Sequence, residues 1–181
     1  HGETAWNVDT RIQGQLDIPL NDTGRWQAER LARALAAREA IDVVYTSDLL
    51  RAWETARPVA EATGAPLHTD EGLRERGFGS FQGKTFTEIE AAMPDEARRW
   101  RQRDPFWAPP GGESLTAMRR RVIETLHALA SRHVGEQIVM VAHGGVMDVL
   151  YRAATGQELQ APRTWLLGNT AINRLLWSPE G

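Results

Sequence analysis

Apolar residues recur along this chain in two periods, and the switches between them divide it into helices and strands. Between residues 23 and 39, Ala28, Leu31, Ala32 and Leu35 repeat at helical spacing behind Asn21, Asp22 and Thr23, any of which can cap the first turn. An amphipathic helix is predicted there. Ile41-Asp42-Val43-Val44-Tyr45 reads as a short buried strand, and Ser47-Asp48 is placed to cap a second helix over residues 49–63, which Gly64 and Pro66 end. Thr85-Phe86-Thr87-Glu88 has capping-box spacing and opens a short helix that Pro94 interrupts. Leu115, Met118, Val122, Leu126 and Leu129 mark a long helix whose apolar stripe should lie on a sheet. Ile138, Val139, Met140, Val141 and Ala142 are consecutive rather than alternating, the pattern of a central strand covered on both faces. Helix resumes at Gly145, and residues 172–177 read as a late strand.

Strands alternating with helices give an α/β layered fold with a mostly parallel sheet. The 181 residues suffice for one such domain, burying roughly 70% of the surface of the unfolded chain. The Pro/Gly-rich run Asp104-Pro105-Phe106-Trp107-Ala108-Pro109-Pro110-Gly111-Gly112 reads as a loop inside it. Ligand sites in these sheets form where strands end and helix N-termini begin. Two segments have that placement: Tyr45-Thr46-Ser47-Asp48 and Ala142-His143-Gly144-Gly145.

Charge and composition narrow the chemistry. A formal charge of -3 argues against a general nucleic-acid or membrane-surface binder, which carries a broad positive field, so any anion site must be local. There is no cysteine, hence no disulfide, thiolate zinc site or cysteine nucleophile. No run approaches the roughly 18 apolar residues of a membrane span. No two histidines have metal-ligand spacing, and the phosphate-binding Gly-x-x-x-x-Gly-Lys-Ser/Thr loop is absent.

Two His-Gly pairs, His1-Gly2 and His143-Gly144, the second after an apolar run, suggest phosphoryl transfer through histidine. His1-Gly2-Glu3-Thr4-Ala5-Trp6-Asn7, Ser47-Asp48-Leu49-Leu50-Arg51-Ala52 followed by Glu54-Thr55-Ala56, Leu73-Arg74-Glu75-Arg76, and Val141-Ala142-His143-Gly144-Gly145 stand in that order along the chain. Together they resemble the histidine phosphatase superfamily (branch 1, phosphoglycerate mutase-like). The resemblance implies a three-layer α/β/α domain spanning residues 1–181. In that family an Arg on an N-terminal strand precedes the nucleophilic histidine. The sequence starts at His1, and residues carrying that strand and Arg are expected upstream.

The resemblance further implies the roles. His1 is the nucleophile, since a neutral imidazole keeps a lone pair when its other nitrogen is a donor. Arg51 presents its planar fork to phosphoryl oxygens, and His143 donates a hydrogen bond to them. Glu75 protonates the leaving oxygen and then activates water; a salt bridge to Arg74 or Arg76 is its alternative role. Asn7, Gln13, Gly14 and Gly144 are expected to bind phosphate or substrate, with Glu3 structural. Gly111-Gly112-Glu113-Ser114 resembles the family's Gly-Glu-Ser element before the long helix; Ser114 as a helix N-cap and Glu113 as a residue that orders the loop are the alternative reading.

The expected activity is hydrolysis of a small phosphomonoester through a phosphohistidine, with no cofactor or metal, no nucleic-acid or membrane partner, a cytoplasmic location, and room for a homodimer. Two alternatives stand beside it: a cofactor-dependent phosphoglycerate mutase, and a non-catalytic phospho-ligand-binding protein. Mutases of that type carry a longer insertion after the catalytic Glu, and here 38 residues separate Glu75 from Ser114. Against that, Arg98, Arg99, Arg101 and Arg103 could hold an acidic substrate group, or form a solvated helix face. The loop around Phe106 and Trp107 is expected to line the pocket with aromatic surface.

Overall fold

The computed structural model describes residues 1–163, 165 and 167–180. Its elements run α1 (Ala5–Val8), α2 (Asp22–Arg38), β1 (Val43–Thr46), α3 (Leu50–Thr63), β2 (Leu67–Thr69), α4 (Phe86–Ala92), α5 (Pro94–Arg101), α6 (Leu115–Ser131), β3 (Ile138–Val141) and α7 (Gly144–Thr155). The sheet has the order β2-β1-β3 with both pairings parallel, and β1 faces β3 from Val43↔Ile138 to Thr46↔Val141. Helices cover both faces. Ala32, Leu35, Ala52, Ala56 and Val59 of α2 and α3 pack with Val44 and Val141 on one side, and Leu115, Met118, Val122, Val146 and Val149 of α6 and α7 pack with Val43 and Tyr45 on the other. The α/β layered expectation therefore holds.

Local chemistry explains most boundaries. Asn21 caps α2 through Gly24 N–H, Ser114 caps α6 through Ala117 N–H, and Thr85 with Glu88 forms a reciprocal capping box on α4. Pro94 ends one short helix and occupies the first turn of the next, where its missing N–H costs nothing. Gly64 terminates α3 in the left-handed conformation at φ 72°.

Among the described residues β1 lies between β2 and β3 with all four of its residues buried, and Ile138, Val139 and Met140 of β3 are half-buried. Two expectations need correction. Ser47-Asp48 does not cap α3: Leu49 is the N-cap residue without a side-chain cap, and Asp17 Oδ1 accepts from Leu50 N–H at 2.6 Å. Residues 172–177 form no strand; they run beside the helices, with Trp177 Nε1 donating to His127 and Arg174 paired to Glu39. Ile172, Leu175 and Leu176 are exposed.

Candidate active site

β1 and β3 end side by side, and the site grows from that edge. Ser47 N–H donates to Val141 O at 2.9 Å, extending the ladder by one bond. One residue further, His143 Nε2 and Ser47 Oγ lie 2.8 Å apart. His143 is fully buried, and desolvation, reinforced by the Arg51 charge, holds its pKa well below the usual imidazole value, so it is neutral at physiological pH. Its Nδ1 is buried without a hydrogen-bond partner among the described residues.

The His1 ring stands edge-on to His143, with centroids 5.2 Å apart. His1 Nδ1 lies 2.7 Å from Gly2 O. A carbonyl can only accept, so Nδ1 carries the proton and Nε2 keeps the lone pair. The surrounding loop is fixed from several directions. Gly2 N–H donates to Thr55 Oγ1 at 2.9 Å, Asn21 Nδ2 donates to Glu3 at 2.8 Å, and Thr170 N–H donates to His1 O at 3.0 Å. The His1 backbone nitrogen donates to Ala142 O at 3.3 Å. This loop lies against α2 so closely that a Cβ on Gly24 would meet Glu3 O at 2.1 Å.

Arg51 is buried on α3, and burial pulls its pKa below the usual guanidinium range while the Glu75 and Asp17 charges oppose that shift. Its Nη1 and Nη2 donate to Leu16 O and Gly14 O at 2.8 and 2.6 Å, leaving Nε buried without a partner. The two orphaned donors or acceptors of this region, Arg51 Nε and His143 Nδ1, are costly unless an incoming polar group meets them.

Glu75 accepts Arg76 N–H on Oε1 at 2.8 Å and Gly145 N–H on Oε2 at 3.1 Å, the latter from the first turn of α7. The feared salt bridges are absent. Arg74 instead forms a two-pronged pair with Asp48 at 2.7 and 2.6 Å, and that hydrogen bonding holds the Asp48 carboxyl below the usual range. Arg76 donates to Glu113 O and Trp107 O, and burial lowers its pKa to about 10. Arg121 clamps the Glu75 segment from α6, donating to Gly72 O, Arg74 O and Glu75 O while paired at 2.5 Å with Glu113, whose Oε1 also accepts Gly77 N–H.

These groups meet in a cleft of about 320 Å³. Of the residues singled out from sequence, His1, Asn7, Gln13, Gly14, Arg51, Glu75 and Gly144 all line it, and His143 sits behind His1 without reaching the surface. Asn7 Oδ1 accepts from Thr4 N–H, leaving its Nδ2 protons for a ligand. The cleft also has a wall of Ile12, Phe78, Met147 and Leu167 that the motifs did not reveal. Ser47, Thr55 and Arg121 were likewise missed as supports; Arg121 sits in an Arg119-Arg120-Arg121 run that reads as solvated surface.

The expected aromatic wall fails, and of the two readings of the arginines the solvated helix face holds for Arg98, Arg99 and Arg101. Trp107 is buried beside Phe81 and Ile89, and Phe106 is exposed, so neither lines the cleft. Arg98 pairs with Asp95, Arg101 with Glu90, and Arg103 with Asp148; none of these, nor Arg99, reaches it. Among the described residues no group of three or more His, Cys, Asp or Glu is placed to hold a metal ion, and no helix is long and apolar enough to cross a membrane.

Known proteins match this arrangement. The family model of the histidine phosphatase superfamily (branch 1) covers residues 1–181. Phosphoglycerate mutase-like protein 4 of Arabidopsis thaliana is 40% identical over 175 residues, 96% of this chain and 75% of that protein. Glucosyl-3-phosphoglycerate phosphatase of Mycolicibacterium vanbaalenii is 39% identical over 163 residues, 86% of this chain and 72% of that protein. Among solved structures, Bacillus stearothermophilus YhfR superposes with a TM-score of 0.82 at 38% identity, covering 88% of this chain and 79% of its own. The order of the four motifs, the geometry at the strand ends and these likenesses agree: the chain belongs to the histidine phosphatase superfamily, branch 1.

Proposed function

We propose that this chain hydrolyses a small phosphomonoester through a phosphohistidine on His1. The observation that carries the reading is the His1 Nδ1 to Gly2 O hydrogen bond at 2.7 Å, which leaves a lone pair on Nε2 in a cleft shared with Arg51 and Glu75. Nε2 attacks phosphorus, the ester P–O bond breaks, and Glu75 gives its proton to the departing oxygen. Water then attacks the phosphohistidine, Glu75 takes back a proton, and inorganic phosphate leaves. Arg51 Nε, His143 and the Asn7 amide stabilise the charge spread over the phosphoryl oxygens. Gln13 helps shape the loop, since its Oε1 accepts from the buried Thr4 hydroxyl at 2.7 Å, while Gly14 and Gly144 allow close approach of backbone. His143 serves this role only if a small shift of His1 opens its Nδ1 to the ligand, because it is buried here.

Water rather than a second substrate hydroxyl is the favoured acceptor. The residues between Glu75 and Ser114 fold onto themselves, as α4, α5 and an aromatic cluster of Phe81, Trp100 and Trp107, and only Phe78 of that segment joins the cleft wall among the described residues. No long cover over the site is contributed from there. The names of relatives include both phosphatases and a phosphoglycerate mutase-like protein, so the assay has to separate the two.

Incubating the protein with a panel of phosphomonoesters, with free phosphate and positional isomers quantified together, tests the reading beside His1→Ala. Phosphate release and an acid-labile phosphoryl label on the parent, both lost in the variant and both unaffected by EDTA, are expected. Isomer without phosphate would make the chain a mutase, and binding without turnover would make it a phospho-ligand binder. The reading includes a cytoplasmic location, tested by fractionation of the source cells, and a homodimer, tested by sedimentation.

A further inference from the structure

The groups that meet a phosphoryl group account for one side of the cleft, and the rest of its lining decides what that phosphoryl group is attached to. That remainder is Ile12, Phe78, Met147 and Leu167, with Gly168 and Asn169. Four are apolar, and the others offer one neutral amide and backbone. Among the described residues, the charged side chains of the lining are Arg51 and Glu75, together with the titratable His1.

Arg51 has no capacity for a second anion. Both of its terminal nitrogens are spent on Gly14 O and Leu16 O, and its remaining Nε is the donor the phosphoryl group requires. The arginines nearest in sequence to Glu75 are turned elsewhere, Arg74 to Asp48 and Arg76 to the carbonyls of Glu113 and Trp107. A substrate carboxylate placed beyond the phosphate would therefore lose hydration against an apolar wall, with no cation among the described lining residues left to offset that cost.

The wall is also held in place. The Arg76 guanidinium lies 5.1 Å from the Phe78 ring centroid and Trp100 meets that ring edge-on at 5.7 Å, so Phe78 is a fixed surface. Met147, also in the lining, is adaptable and suits an irregular apolar outline. At about 320 Å³ the cleft is at the small end of small-molecule sites.

Resting on the phosphatase reading above, we infer that the leaving group is an uncharged alcohol of modest size with an apolar or aromatic face, and that Phe78 and Met147 select it. A phosphorylated hydroxy acid is disfavoured by the same wall.

Benzyl phosphate, glycerol 3-phosphate and 3-phosphoglycerate test this directly, because all three release a primary alcohol and differ in apolar face and carboxylate. The expected order of kcat/KM is benzyl phosphate, then glycerol 3-phosphate, then 3-phosphoglycerate, with at least about tenfold between first and last. Phe78→Ala and Met147→Ala should each lower the ratio of benzyl phosphate to glycerol 3-phosphate by about fivefold to tenfold, mainly through KM. Met147→Lys, which adds a cation to the wall, should raise 3-phosphoglycerate relative to benzyl phosphate. Equal or better turnover of 3-phosphoglycerate by the parent overturns the inference and leaves the phosphatase reading standing. So does an equal loss on all three esters in both Ala variants. Phosphate released from none of them removes the phosphatase reading, and this inference with it.

Discussion

Replacing Gly145 with Ala tests the role of Glu75 without altering Glu75 itself. A Cβ on Gly145 would stand 2.2 Å from Glu75 Oε1 and 3.1 Å from Met118 Cε. Since real Cβ contacts essentially never fall below 3.0 Å, the carboxylate must retreat by at least 0.8 Å, the difference between 3.0 and 2.2 Å. Misplacing a catalytic group by about 1 Å costs roughly 100-fold in rate, or about 2.7 kcal/mol of transition-state stabilisation. Stability moves the other way. Gly145 is in the first turn of α7 without a positive φ, so Ala fits the backbone and gains up to about 1 kcal/mol of helix propensity. The expected variant is therefore at least as stable as the parent and about 100-fold lower in kcat/KM on an alkyl phosphate. On p-nitrophenyl phosphate, whose phenolate leaves without protonation, the loss in kcat/KM should be under about tenfold, because that parameter reports only steps up to formation of the phosphohistidine. A folded variant that keeps kcat/KM within about threefold on the alkyl ester would refute the assignment. Equal losses on the two esters would show that Glu75 acts otherwise than as the acid.

Three further outcomes follow from named contacts. Gly24→Ala places a Cβ 2.1 Å from Glu3 O, backbone that cannot swing aside, and should cost about 1–3 kcal/mol in urea unfolding; a change below about 0.5 kcal/mol would contradict the tight packing of the His1 loop on α2. Asp148→Ala removes the carboxylate facing Arg152, Arg103 and Arg163 at 2.9, 3.1 and 3.2 Å, leaving Arg152 buried and unpaired, so a loss of about 3–5 kcal/mol is expected and one under 1 kcal/mol is inconsistent with the cluster. The third concerns pH. Unfolded His143 takes up a proton below about pH 6.5, whereas folded His143 resists it to much lower pH, so the unfolded state binds more protons and stability falls as pH drops below 6.5, by up to about 1.4 kcal/mol per unit. His143→Gln removes this contribution; urea midpoints at pH 7.5, 6 and 5 that fall equally steeply in both proteins would disprove it.

The helices and the reacting residues were legible because their signals are local. Asn21, Ser114 and the Thr85/Glu88 pair announce helix starts through their own side chains, and His1, Arg51, Glu75 and Gly144 fall in short motifs that the strand ends bring together. What could not be read depends on partners distant in sequence. Residues 172–177 have strand composition, yet a strand exists only where another pairs with it, and composition does not name that partner. Trp107 in a Pro-rich loop looks equally suited to a ligand wall or to a core, and the choice was made by Phe81 and Ile89 from elsewhere. Gly24 is an unremarkable helical position until Glu3 O is found against it. The burial of His143 followed from the same cause: its neighbours Ser47 and His1 are 96 and 142 positions away.

That separation has a kinetic side. Closing the pair of strands β1 and β3 joins residues about 95 positions apart, as in Val43↔Ile138, and the Ser47 to His143 contact exists only once that loop has closed. Helices form in about a microsecond, whereas contacts of long sequence separation form late because the chain entropy of closure precedes their reward. The site therefore assembles last: during refolding, helical content returns first and turnover follows with the sheet, so enzymatic activity serves as a reporter of the slowest long-range step of folding.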